Sequence, residues 1–228
     1  MTYGAIFPQW RDNAGAVWQD YTRHAFVEGL RDGALPRAAF LHYLRQDYVF
    51  LIHFSRAWAL AVTKSETIDE MRSAAATVNA LIDEEMRLHI GICAEAGISQ
   101  AMLEATQEAA ANLAYTRYVL DAGHSGDLLD LLAALAPCVM GYGEIGARLL
   151  GGLGETGAGD TPYRDWIAAY GGAEYQQVCH SVGGLIDSAV ARRIGPDPQA
   201  SPRWNRLCER FTMATTLEVG FWDMGLCP

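Results

Sequence analysis

The chain has 228 residues, half of them hydrophobic and 19% charged, so it can bury the core of one domain without help from metal or disulfides. Lys and Arg number 17 against 27 Asp and Glu, a net charge of −10. That balance disfavours nucleic acid and anionic membrane as partners, because neutralising phosphates requires clustered basic residues.

The first 13 residues, MTYGAIFPQWRDN, lack the basic and apolar regions of a secretory signal. The apolar spacing is helical almost everywhere, with no sustained strand-like alternation. A first helix is expected over residues 7–28, ending near Gly29, and a second from about Pro36 to Thr63. Thr67 and Glu70 read as a capping box opening a third helix that runs to about Gly97. A fourth is expected over 101–121 and a fifth from Asp127 through Leu150. The fifth contains the longest uncharged run, residues 131–143. That run is well short of the ~20 apolar residues that cross a bilayer, so it reads as a core helix. A glycine-rich connection follows over 151–160. Thr161-Pro162 then starts a short helix to about Tyr170, Gly171-Gly172 separates it from a helix ending before Gly195, and Ser201-Pro202 opens a last helix to about Met224. The expectation is a single all-α domain, residues 1–228, of roughly eight helices.

Two GxGxxG matches, starting at Gly141 and Gly152, lack the strand–loop–helix setting of a dinucleotide site. The first is better read as glycines that let a backbone or ligand come close. Glu85 and His89 stand four apart on one helix, a spacing that could supply two ligands of a carboxylate-bridged iron site. No second Glu/His pair matches them, since only glutamines precede His180. They are therefore read as a solvent-facing pair, and no metal or cofactor is expected. The five cysteines, Cys93, Cys138, Cys179, Cys208 and Cys227, are odd in number and form no CxxC. They read as reduced thiols of a cytoplasmic protein.

Three segments carry the chemistry. Pro137 precedes Cys138 inside a helix, and proline there removes a backbone hydrogen bond and kinks the chain. Cys138 shares a helix face with Tyr142. Asp47 sits in the otherwise apolar QDYVFLI, where a buried carboxylate must be paired, hydrogen-bonded or neutral. Glu218 lies three and four residues before Phe221 and Trp222, an acid beside aromatic rings.

Together these pieces resemble the TenA family of thiaminase II-type proteins. QDYVFL, AYTRY, APCVMGYGEIG, YRDWIAAY and EVGFWDMG fall in family order from about residue 36 to the end. The resemblance implies a heme-oxygenase-like helical fold and hydrolysis of aminopyrimidines: 4-amino-5-aminomethyl-2-methylpyrimidine to the hydroxymethyl compound, or thiamine cleavage, in thiamine salvage. It assigns Cys138 as nucleophile and Glu218 as the proton-transfer group. Asp47 would bond the pyrimidine edge, Tyr115 and Tyr170 complete the polar network, and Tyr142 and Phe221 hold the ring. Phe50 stands where several relatives carry tyrosine, removing one hydroxyl. The resemblance also implies a homo-oligomer, a tetramer. The first 35 residues supply no usable motif. The alternatives are a non-catalytic pyrimidine-binding or regulatory member and an oxidoreductase of the same fold, di-iron or related to pyrroloquinoline-quinone synthase.

Overall fold

Helical periodicity becomes helix throughout: among the residues described by the computed structural model, 2–153 and 161–228, there is no strand. Several expected helices are divided, each by an identifiable device. The first becomes α1 (Phe7–Ala14), α2 (Ala16–Thr22) and α3 (Ala25–Asp32). Gly15 breaks α1 from α2 at φ 59°, a conformation other residues avoid. His24 caps α3 by accepting a hydrogen bond from the Phe26 amide, and α3 continues past Gly29 to a left-handed Gly33.

α4 (Arg37–Lys64) matches its expectation. α5 (Ile68–Ala80) opens on Thr67, whose hydroxyl accepts from the Glu70 amide. The chain then passes through a π-helical turn, Leu81–Glu85, into α6 (Met86–Glu95). Such turns are rare overall and are frequent at functional sites. The expected fourth helix is two, α7 (Gln100–Glu104) and α8 (Ala110–Ser125). Gln46 of α4 holds that break: its amide donates to the Gln107 carbonyl and accepts from the Ala109 amide.

α9 (Leu128–Gly152) starts on Asp127, which forms a reciprocal capping box with Asp130. Every residue from Leu128 to Gly143 is buried, as expected of a helix apolar all round. By length and composition it could span a bilayer, but 94% of its most apolar window lies inside the protein. The glycine-rich connection falls outside the described residues from 154 to 160, while Gly151 and Gly152 still belong to α9. α10 (Arg164–Gly171), α11 (Ala173–Ile194) and α12 (Trp204–Leu226) complete the chain, and α4, α8, α10, α11 and α12 all pack on α9.

The glycines of the first GxGxxG are where this packing is tightest. A Cβ on Gly141 would lie 2.1 Å from the Tyr21 ring, on Gly143 2.5 Å from Cys179 Sγ, and on Gly146 2.4 Å from the Tyr170 backbone. The groups that come close are the protein's own, from α2, α11 and α10. At the other end, Arg203 grips Asp127 and Asp130 at 2.8 Å. This ties the start of α12 to the start of α9 and fixes the two helices in register.

Candidate active site

α9 presents Cys138 and, one turn later, Tyr142; both are buried. Across from them α12 delivers Glu218, 1% exposed. Its Oε1 accepts a 2.8 Å hydrogen bond from the Tyr115 hydroxyl of α8, and its carboxyl also bonds the Cys138 thiol and the Tyr21 hydroxyl. Two residues 80 apart in sequence are thus in direct contact. Burial pushes Glu218 up from the usual 4.5 to about 8, against the lowering effect of its three hydrogen bonds. Burial and then the neighbouring carboxylates of Glu218, Glu85 and Asp47 hold the Cys138 thiol well above its ordinary range. The resting sulfur is therefore a thiol, so addition must be coupled to proton removal. Glu218 is the contacting group, and it accepts that proton only when ionised, a fraction that grows as pH approaches 8.

Asp47 on α4 is 2% exposed and accepts from Tyr43, one turn earlier, at 3.1 Å. Burial first, then Glu85, raises it well above the usual carboxylate range. Tyr43 also approaches the Tyr142 hydroxyl at 3.4 Å and receives the Trp166 indole N–H. Phe50 and Phe221 lie 5.4 Å apart, and Phe50 stacks on Phe54 with Tyr115 beside it. Tyr142 meets Tyr170 edge-on at 4.9 Å. All eight residues singled out from sequence (Asp47, Phe50, Tyr115, Cys138, Tyr142, Tyr170, Glu218 and Phe221) are buried and linked through these contacts.

A cavity of about 240 Å³ opens beside them, lined among others by Cys138, Tyr170, Glu85, Phe54 and Tyr175. Its presence at Cys138 overturns one sequence reading. Glu85 and His89 are not a solvent-facing pair. The π-helical turn brings Glu85 to the cavity wall, where it accepts a 2.7 Å bond from Tyr170, and His89 is fully buried. His89 Nε2 lies 3.3 Å from the Tyr170 hydroxyl and Nδ1 3.2 Å from Asp47 Oδ2. Asp47, Glu85 and His89 place one donor atom each within 4.8 Å of one another. The Tyr170 hydroxyl bonds Glu85 and lies within bonding distance of His89 Nε2, while His89 Nδ1, facing Asp47, is buried without a hydrogen-bond partner.

Sequence reasoning also missed Tyr21, Tyr43 and Trp166. Tyr43 carried a signal, sitting one turn before Asp47. Tyr21 carried none: it lies in the N-terminal stretch without motifs and reaches the site only because Gly141 leaves room for its ring.

The model of the TENA/THI-4/PQQC family matches residues 11–228. The chain belongs to that family. An aminopyrimidine aminohydrolase of Halalkalibacterium halodurans is 35% identical over 93% of this chain and 92% of its own. An uncharacterized protein of Haemophilus influenzae is 39% identical, covering 93% and 95%. Among solved structures, one described as a TenA family transcription regulator from Silicibacter sp. TM1040 is 65% identical. It superposes at a TM-score of 0.95, covering 99% of this chain and 98% of that one. The all-α fold expected from the sequence is the fold of this family.

Proposed function

We propose that this protein hydrolyses aminopyrimidines of the thiamine type, with Cys138 as nucleophile and Glu218 as its acid–base partner. The observation that carries this reading is the direct Cys138–Glu218 contact at the wall of a cavity, with Asp47 on the same network. As the sulfur adds to an electron-poor ring carbon, its proton passes to Glu218 in its ionised form, whose fraction grows as pH approaches 8, and the displaced electron pair rests on the ring nitrogens. Glu218 then returns the proton to the departing amine as the exocyclic C–N bond breaks; from thiamine, the thiazolium takes the bonding pair and leaves as neutral thiazole without a proton. Water adds at the freed methylene, and expulsion of the cysteine thiol restores the ring and the enzyme. Proton transfers of this kind supply about 10²–10⁴-fold in rate.

Asp47, Tyr115 and Tyr170 hold the polar edge of the ring, and Tyr142, Phe50 and Phe221 its faces. With Phe50 apolar, no hydroxyl is offered at that position, and Cys138 depends on Glu218 for activation. The −10 charge argues against a directly DNA-binding regulator. An oxidoreductase of this fold would need a fuller Glu/His set than the one His89 supplies. A cytoplasmic homotetramer belongs to the same reading and is checked by light scattering. The decisive test is a turnover assay with the aminomethylpyrimidine and thiamine side by side. Release of hydroxymethylpyrimidine from at least one supports the proposal; none from either refutes it.

A further inference from the structure

Thiamine cleavage does not balance on Glu218 alone. The thiazolium of thiamine is a cation, whereas hydroxymethylpyrimidine and the free thiazole are neutral, so each turnover sets a proton free. Glu218 takes the Cys138 proton on addition and still holds it after the thiazole has left. That proton is the one the sulfur needs when it is expelled. The proton of the incoming water therefore requires a second acceptor, one that reaches solvent. Glu218 is unsuited to that part as well, being 1% exposed and engaged by Tyr115, Cys138 and Tyr21. With the aminomethylpyrimidine the balance differs: the departing amine carries the proton away, and Glu218 is free to serve the water.

We propose that Glu85 is the general base that activates water in the second half of the reaction, a catalytic residue required for thiamine and dispensable for the aminomethylpyrimidine. It rests on the aminopyrimidine reading given above. Glu85 lines the same cavity as Cys138 and is half-buried. Glu84 and Glu174 line that cavity too and are exposed, so it communicates with solvent. In these pyrimidines the carbon open to the sulfur is the unsubstituted neighbour of the carbon that carries the methylene. The methylene therefore sits beside Cys138 Sγ, at the wall that Glu85 shares. The Tyr170 hydroxyl fixes Glu85 Oε1 at 2.7 Å, and among the described residues no hydrogen bond engages Oε2.

The other groups around Glu85 are unfit for the part. Burial holds Asp47 of α4 protonated, along with the hydroxyls of Tyr43, Tyr170 and Tyr175 and the Cys179 thiol. It leaves His89 of α6 a weak base, at about 3. Glu85 itself is pushed up by burial to about 7, against the lowering effect of Tyr170. A base works best when matched to the operating pH in this way. The step balances. The Glu85 carboxylate takes one proton from water, the water oxygen bonds the methylene, and the methylene π pair moves into the ring. That pair then expels the sulfur, which takes its proton back from Glu218. Glu85 loses the water proton to solvent through the cavity, and this is the proton that thiamine cleavage sets free.

The test compares the full-length wild type with Glu85→Gln, whose amide still accepts from Tyr170, on both substrates. Thiamine turnover should fall about 10²-fold or more while aminomethylpyrimidine turnover stays within a few-fold. The first half of the reaction is untouched in the variant. Rapid mixing with thiamine should therefore show a burst of thiazole, equal to the active sites, with the Cys138–pyrimidine adduct detected by intact-protein mass spectrometry. Azide, a nucleophile with no proton to lose, should discharge that adduct and restore thiazole release. Such rescue separates a missing base from a misfolded site. Unchanged thiamine turnover, equal losses with both substrates, no burst, or no rescue by azide overturns the assignment. The same substrate-selective loss in Glu84→Gln or Glu174→Gln overturns it too. So does a wild type that cleaves only the aminomethylpyrimidine, since no proton then needs a second base. Hydroxymethylpyrimidine from neither substrate sinks the aminopyrimidine reading, and this inference with it.

Discussion

Replacing Glu218 by Gln should make the protein more stable at neutral pH and nearly inactive. Glu218 is 1% exposed, and burial raises its carboxyl from 4.5 to about 8 in the folded chain. Between those pH values the unfolded state has lost a proton that the folded state keeps, so stability falls as pH rises through that window. At pH 7 the penalty covers two and a half decades of acidity, on the order of 3–4 kcal/mol at about 1.4 kcal/mol per decade, as a ceiling. Glutamine keeps an oxygen to accept from Tyr115 and carries no titration cost. The melting temperature at pH 7–8 should rise by several degrees, at roughly 2–4 °C per kcal/mol for a chain of this size. At pH 4 the two proteins should melt close together. Turnover of the aminomethylpyrimidine should fall by about 10²-fold or more, because the amide cannot take the Cys138 proton and return it to the leaving group. The assay is paired: calorimetric melting from pH 4 to 9, and steady-state turnover with ligand affinity. A variant that turns over within a few-fold of wild type refutes the acid–base role. One that melts lower at pH 8 than wild type refutes the claim that Glu218 is held protonated at a cost.

Cys138→Ser should fold and bind pyrimidine but lose nearly all hydrolysis, since a hydroxyl is a far weaker nucleophile; Cys227→Ser, at an exposed position, serves as the unaffected control in the same turnover assay. Because burial favours the protonated carboxyl of Asp47, its donor–acceptor pair resembles an amide. Asp47→Asn should therefore keep hydroxymethylpyrimidine affinity within about tenfold while Asp47→Ala loses more; equal losses by calorimetry would mean the carboxylate form is the one that binds. Gly141→Ala would place a methyl 2.1 Å from the Tyr21 ring. It should cost about 1–3 kcal/mol or more and lower activity through Tyr21, whereas Gly184→Ala, with open space around it within α11, should gain up to about 1 kcal/mol; equal melting temperatures for the two variants would remove Tyr21 from the argument.

The sequence by itself determined the helical class and the buried α9, and it set Glu218 beside aromatic residues. Those properties are local. An unbroken apolar run such as residues 131–143 must be buried whatever packs on it, and an acid such as Glu218 among aromatic residues must find a partner. Helix breaks were less legible, because some depend on side chains from elsewhere: Gln46 of α4 holds the α7–α8 break, 61 and 63 residues away. The role of Glu85 and His89 was decided only by tertiary structure. Their i,i+4 spacing is equally compatible with a solvated face and a buried one. The π-helical turn before α6 and the arrival of Tyr170 from α10 and Asp47 from α4 turn that face inward. Tyr21 shows the same limit from the other side: nothing around it in the chain marks it, and only the missing side chain at Gly141 lets its hydroxyl reach Glu218. Spacing along one helix specifies which residues share a face, but what that face meets is set by elements distant in the chain, through packing energies that no local pattern encodes.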